Sequence, residues 1–164
     1  MLSNFQIESI CHKSNIIIDN VCMRDELNKN KPNANANYII NLQSSREGQG
    51  THWVALLKRD NNFIYFDSFG IESPINIINF VKKFHNAHFA HNLKEIQNIN
   101  SHLCGWYCMA LLYFVKNKKD IYNAVDDFAN MFNDEGMNND IILINYIKSF
   151  YPQIINDLKG YKPK

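Results

Sequence analysis

The chain reads as an α+β domain, and three observations on its sequence predict this. Thr51–Lys58 and Phe63–Asp67 are short apolar runs around the polar turn Arg59–Asn62, the pattern of a β-hairpin. Trp106–Val115 is apolar all round, as in a helix at the middle of a protein. Asp120–Phe132 and Asn138–Phe150 fit two further helices, the second closed by Pro152. One buried helix against a short central sheet, with helices outside, is an α+β arrangement.

Length and charge narrow the rest. At roughly 150 residues per domain, residues 1–164 make a single domain. A chain of this size buries about two thirds of its unfolded surface, enough to fold without staples. Hydrophobic residues make up 46% and charged residues 20%, which excludes disorder and fibrous classes. The net charge of +1 gives no long-range field, so charge predicts neither nucleic-acid nor membrane binding. The longest apolar run, Trp106–Val115, is well short of the roughly 20 residues that cross a bilayer. Met1–Gln6 lacks a basic start followed by an apolar stretch, so no secretion signal is expected. Cys11, Cys22, Cys104 and Cys108 are then expected as free thiols in a reducing compartment.

Along the chain, Met1–Asn37 has apolar content at Ile7, Ile10 and Ile16–Ile18 but resists assignment. Asn28–Asn37 reads as a loop, because Asn and Pro favour turns. Tyr38–Leu42 is a short β-rich run, and Gln43–Gly50 a second loop with two glycines. A hairpin turn centred between Asp60 and Asn61 sets Val54 opposite Asp67 and Leu56 opposite Tyr65. His52, Val54, Leu56, Tyr65 and Asp67 then share one face, with Trp53, Ala55, Leu57, Ile64 and Phe66 on the other. Both faces are largely apolar, so the hairpin is expected at the centre with layers on each side. Pro74 opens a helix to about Phe84, and His88–Asn92 is a candidate strand. Ser101 is the expected cap of the buried helix.

Four positions together suggest thiol catalysis: His52, Asp67, Gln97 and Cys104. A thiolate nucleophile needs a cationic neighbour or a helix N-terminus, and Cys104 falls in the first turn of the buried helix. His52 is the strand-borne base. Asp67, diagonal to it on the same hairpin face, is the carboxylate that would hold its tautomer. The amide of Gln97 and the backbone N–H of Cys104 are donors for an oxyanion. Singly, each has a plain reading: a packed thiol, a solvated histidine, a turn-forming aspartate. The weight lies in the combination.

Gly-Thr-His-Trp-Val-Ala at 50–55, Tyr-Phe-Asp-Ser-Phe-Gly at 65–70, and Gln97 separated by six residues from Cys-Gly-Trp-Tyr-Cys at 104–108 resemble the adenovirus-type maturation protease family. That family is related to the SUMO-specific and ubiquitin-like-protein proteases. The lead-in Ile39–Gly50 resembles the segment before the adenoviral histidine, so the likeness covers roughly Tyr38–Val115. It implies a papain-like core in which histidine precedes cysteine in sequence. It also implies His52 as base, Asp67 as orienting acid, Gln97 for the oxyanion and Cys104 as nucleophile. The adenoviral branch has Glu at the Asp67 position and the SUMO branch Asp. A substrate-binding role follows for Trp53 by the same resemblance, and for Gly105 from its lack of a side chain beside the nucleophile. Trp53 borders a narrow cleft admitting small residues such as Gly, or is a core aromatic, and Gly105 lets substrate backbone approach. Cys108 reads as packing.

The function expected is a cysteine endopeptidase maturing viral capsid and core precursors, in host cytoplasm and virion, neither secreted nor membrane-bound. Its partner is a polypeptide substrate, and no cofactor is implied. The alternatives are a deubiquitinating or SUMO-removing isopeptidase, a non-catalytic binding module, and an acyltransferase on the same fold. The adenoviral enzyme is stimulated by DNA, but a net charge of +1 gives no support for carrying this over. His85, His88 and His91 recur every third residue, yet Asn86 and Asn92 argue against the long helix a zinc site would need, so no metal is expected. Lys116, Lys118 and Lys119, and the tail lysines Lys159, Lys162 and Lys164, read as solvated faces.

Overall fold

Alternating apolar side chains build a five-stranded mixed sheet with helices on both faces, in a computed structural model that describes residues 1–29, 31–48, 51–134 and 136–163. The strands are β1 (Asn20–Met23), β2 (Asn35–Asn41), β3 (Trp53–Arg59), β4 (Asn62–Phe66) and β5 (His88–His91), adjacent in that order. β2, β3 and β4 are antiparallel, and β1 and β5 add parallel edges. The hairpin pairs Leu56 with Tyr65 and Ala55 with Phe66, the register set by a turn between Asp60 and Asn61. Asp60 takes a positive φ of 50°, which a short polar residue tolerates best at such a turn. Gln49 and Gly50, at the end of the preceding loop, and Lys164 of the basic tail lie outside the described residues.

The helices are α1 (Asn4–Lys13), α2 (Ile75–Val81), α3 (Cys104–Val115), α4 (Ile121–Ala129), α5 (Asn139–Lys148) and α6 (Ile154–Asp157). Trp53, Ala55, Leu57, Ile64 and Phe66 face a core filled by α3, with residues of α1, α4, α5 and α6 around it. Val54, Leu56, Phe63 and Tyr65 face a second core closed by Ile77, Phe80 and Val81 of α2. Both hairpin faces are therefore covered, and β3 is the middle strand. Ten residues of α3 are buried. Removing a large apolar side chain from water is worth roughly 1.5–3 kcal/mol, so this helix anchors the larger core. No helix among the described residues is long and apolar enough to cross a membrane.

Several boundaries differ from the sequence reading. α3 starts at Cys104 with Leu103 at its cap and no side-chain capping bond. Ser101 is not the cap. Its hydroxyl instead accepts from Leu103 N–H at 3.3 Å and donates to Asp140 at 3.0 Å. β2 begins at Asn35, inside the expected loop, because pairing with β3 satisfies the backbone of Asn35–Asn37. α2 stops at Val81, short of Phe84. The unassigned N-terminal stretch supplies α1, held by a Ser3–Gln6 capping box, and the edge strand β1. α4 starts where Asp120 accepts from the N–H groups of Tyr122 and Asn123.

Candidate active site

Antiparallel pairing brings the start of β3 beside the end of β4, and α3 points its N-terminus at the same end of the sheet. His52 directly precedes β3, and its carbonyl accepts from Leu42 N–H at 2.9 Å. Asp67 directly follows β4 and has no solvent exposure. Its Oδ1 lies 2.9 Å from His52 Nε2 and also accepts from Phe69 N–H at 2.8 Å. The Tyr65 hydroxyl reaches Oδ2 at 3.4 Å. Asn92 grips the aspartate's backbone on both sides, accepting from Asp67 N–H at 2.9 Å and donating to its carbonyl at 2.7 Å. The Phe69 ring lies over the imidazole, with centroids 4.9 Å apart. The turn continues through Gly70 at a φ of +67°, where a Cβ would stand 2.8 Å from the Leu93 carbonyl oxygen.

Cys104 is the first residue of α3, so its backbone N–H is among those with no partner inside the helix. Its side chain interacts with the His52 ring strongly enough to help raise the imidazole pKa. A carboxylate only accepts, so the Nε2 bonded to Asp67 is the protonated one, and Nδ1 is left for the sulfur. Burial works to lower the imidazole pKa. The hydrogen bond to Asp67, then that to Cys104, and the charges of both groups outweigh burial and push it up from 6.5 to about 9.

Gln97 lies in the loop between β5 and α3, buried to 1% exposure. Its Oε1 accepts from the Ser68 hydroxyl at 2.5 Å, and its Nε2 donates to the Ser101 carbonyl at 2.9 Å. Its backbone N–H donates to Ser68 O at 2.9 Å. The amide is thus strung between the residue after Asp67 and the approach to Cys104. One Nε2 hydrogen is taken by Ser101, and an amide nitrogen carries two.

Trp53 is 3% exposed, on the larger core face, with its indole N–H donating to the Leu2 carbonyl at 3.0 Å. Where Gly105 lacks a side chain, Leu2 and Trp53 lie 3.4 Å and Ile7 3.5 Å from the position a Cβ would take. The N-terminal segment therefore roofs both residues. Beside it runs an open groove of about 680 Å³, lined by Leu2, Phe5, Val21, Met23, Glu26 and Trp53 among others. Cys108 is wholly buried, with burial and then the Cys104 charge pushing its thiol well up, and its Sγ lies 3.5 Å from Trp53 O. It packs rather than reacts.

Among the described residues no three His, Cys, Asp or Glu side chains gather as a metal site. His88 and His91 lie on β5, and an odd separation along a strand sends their side chains to opposite faces. Reading the sequence alone missed Asn92, Phe69, Ser68 and Ser101 as supports of the site. Phe69 and Gly70 were visible within the Ser-Phe-Gly motif, but Asn92 carried no local signal.

No protein-family model matches the chain, and no curated protein matches it. Among solved structures, the crystal structure of ASFV pS273R protease matches with a TM-score of 0.56 at 16% identity, over 79% of this chain and 64% of that one. The chain shares that protease's fold, a papain-like fold of SUMO-protease type. At this identity the likeness is one of fold, and it does not single out the adenoviral branch. A selenomethionine structure of the same protease matches with a TM-score of 0.45 at 19% identity, over 60% of this chain and 42% of that one. The chain thus spans about 64% of the length of the protease it resembles.

Proposed function

We propose that the chain is a cysteine peptidase whose nucleophile is Cys104. The observation that carries this is the His52 ring, held by buried Asp67 at 2.9 Å and raised in pKa by Asp67 and by Cys104 at the start of α3. In the reactive form the thiol proton has passed to Nδ1, giving an imidazolium and a thiolate. The thiolate attacks a peptide carbonyl carbon, a C–S bond forms, and the carbonyl electron pair moves to oxygen. Cys104 N–H and the second Nε2 hydrogen of Gln97 stabilise that oxyanion. As the C–N bond breaks, His52 gives its proton to the leaving nitrogen. Neutral His52 next takes a proton from water, which attacks the thioester, and the C–S bond breaks to restore the thiolate and release the acid. Asp67 keeps Nε2 protonated throughout, so Nδ1 exchanges the proton.

The same reading extends to substrate. Trp53, which lines the open groove, borders a narrow cleft that admits a small residue such as Gly before the scissile bond, whereas Gly105 lies covered by Leu2 and Ile7 and gives substrate no direct approach. The adenovirus-type motif favours a viral maturation protease acting on capsid and core precursors, at the assembly site in host cytoplasm and within the virion. The test is mass spectrometry of precursor proteins incubated with wild type and with Cys104→Ala. New termini after small residues with wild type alone are expected. Equal cleavage by Cys104→Ala would overturn the peptidase reading. Faster turnover of ubiquitin-family fluorogenic conjugates than of any precursor would replace maturation with isopeptidase activity.

A further inference from the structure

Asp140 is a carboxylate with 2% exposure in the first turn of α5, far in sequence from the four residues of the site. Its partners are hydroxyls. Ser101 and Tyr107 each donate to Oδ1 at 3.0 Å, and Tyr161 donates to Oδ2. Burial, then the charge of Asp140, pushes the Tyr107 phenol well up, and burial followed by the Asp140 hydrogen bond brings Tyr161 to about 12. Both phenols therefore remain donors across the physiological range. Burying a carboxylate among neutral donors is costly, and satisfied networks of this kind fix one geometry.

The geometry is that of the Gln97 loop. Ser101 is the residue whose carbonyl takes one hydrogen of Gln97 Nε2, at 2.9 Å. The same residue's hydroxyl accepts from Leu103 N–H at 3.3 Å, immediately before Cys104. Asp140 thus holds the side chain of the residue whose carbonyl takes Gln97 and whose hydroxyl takes the N–H one residue before Cys104. Its neighbour Asn139 holds the other end of the loop, donating to the Ile96 carbonyl at 2.9 Å. The first turn of α5 therefore clamps the loop on both sides of Gln97.

We propose that Asp140 is a positioning residue for the oxyanion site, acting through the Ser101 hydroxyl to hold the Gln97 amide and the Leu103–Cys104 turn in register. This deepens the peptidase reading and rests on it. Peptide acylation builds charge on a carbonyl oxygen, whereas alkylation of a thiolate by iodoacetamide displaces iodide and builds none. A group that serves the oxyanion alone affects the first reaction and spares the second.

The experiment compares wild type, Ser101→Ala, Ser101→Thr, Asp140→Asn and Cys104→Ala in the full chain. It measures kcat and KM on a peptide ester ending in glycine, and the rate of iodoacetamide labelling at Cys104. Ser101→Ala removes the link with little change in volume, so it serves even if Asp140 variants fold poorly. The expected result is a kcat at least tenfold lower in Ser101→Ala, with KM and labelling rate within twofold of wild type, and recovery in Ser101→Thr. Wild-type kcat in both Ser101→Ala and Asp140→Asn would overturn the proposal while leaving the peptidase reading intact. Equal loss of turnover and labelling would also overturn it, marking Asp140 as a fold residue. Turnover by Cys104→Ala equal to wild type would remove the peptidase reading itself, and this proposal with it.

Discussion

Nε2 of His52 lies 2.9 Å from Oδ1 of Asp67, a side chain wholly out of contact with solvent. Because Phe69 N–H also binds Oδ1 and Asn92 fixes the aspartate's backbone, the acceptor cannot swing away from the ring. Asp67→Asn offers the ring an amide that can turn its NH₂ toward Nε2 and select the other tautomer. The expected outcome is a kcat lower by about 10³–10⁴, as where a triad acid is replaced by its amide. The check is steady-state turnover of the peptide ester alongside circular dichroism. A variant within tenfold of wild type would show that Asp67 does not set the tautomer.

Protonation of His52 also ties stability to pH. The folded-state pKa is raised from 6.5 to about 9, so the folded protein holds this proton more tightly than the unfolded chain. The stabilisation is fully present below the unfolded value and is lost as pH rises through about 9. Urea unfolding of wild type and His52→Gln at pH 6 and pH 9.5 measures it. The stability advantage of wild type is expected to shrink at the higher pH, and a constant or growing difference would contradict the assignment.

Gly70 and Gly160 make a matched pair of backbone tests. Gly70 has a φ of +67° and would set a Cβ 2.8 Å from the Leu93 carbonyl oxygen, whereas Gly160 has a φ of +90° and nothing within 4 Å. Left-handed backbone at a non-glycine residue costs of order 1–3 kcal/mol. Gly160→Ala is expected to show only that. Gly70→Ala adds a displaced backbone carbonyl beside Asp67, and is expected to lose clearly more in urea midpoint. Equal losses would mean the Gly70 turn relaxes freely.

Trp53 links the catalytic end of β3 to the N-terminal segment. Trp53→Ala opens a cavity under Leu2 and α1 and is expected to destabilise by about 3–5 kcal/mol. Trp53→Phe keeps most of the packing but loses the indole bond to the Leu2 carbonyl, worth about 1 kcal/mol. Thermal melts give the order, and hydrogen exchange of the α1 amides shows whether the loss is local. Unchanged exchange in Trp53→Ala would detach the N-terminal segment from this residue.

Much of this arrangement was readable from local pattern. A period of two and a polar turn set the hairpin register, which puts His52 and Asp67 within reach of each other. An all-round apolar stretch marked α3. The supports of the site were not readable for a physical reason. Asn92 grips Asp67 across 25 residues, and Asp140 holds Ser101 across 39, so neither pairing leaves a local trace. Ser101 resembled a helix cap because serine caps helices, but its hydroxyl is engaged by Asp140 and Leu103. β1 is four residues long, and β2 opens on Asn-Ala-Asn, so neighbouring strands rather than side-chain preference define both.

The central claim is that the Cys104 sulfur bonds covalently to the acyl group of a substrate. Wild-type protein turning over a glycine-terminated peptide ester, quenched in acid and analysed by intact and peptide mass spectrometry, tests it most directly. The expected result is a mass increase equal to the acyl group, mapped to Cys104 and absent from Cys104→Ala and His52→Ala. Turnover with no adduct, or with the adduct on Cys11, Cys22 or Cys108, would contradict it.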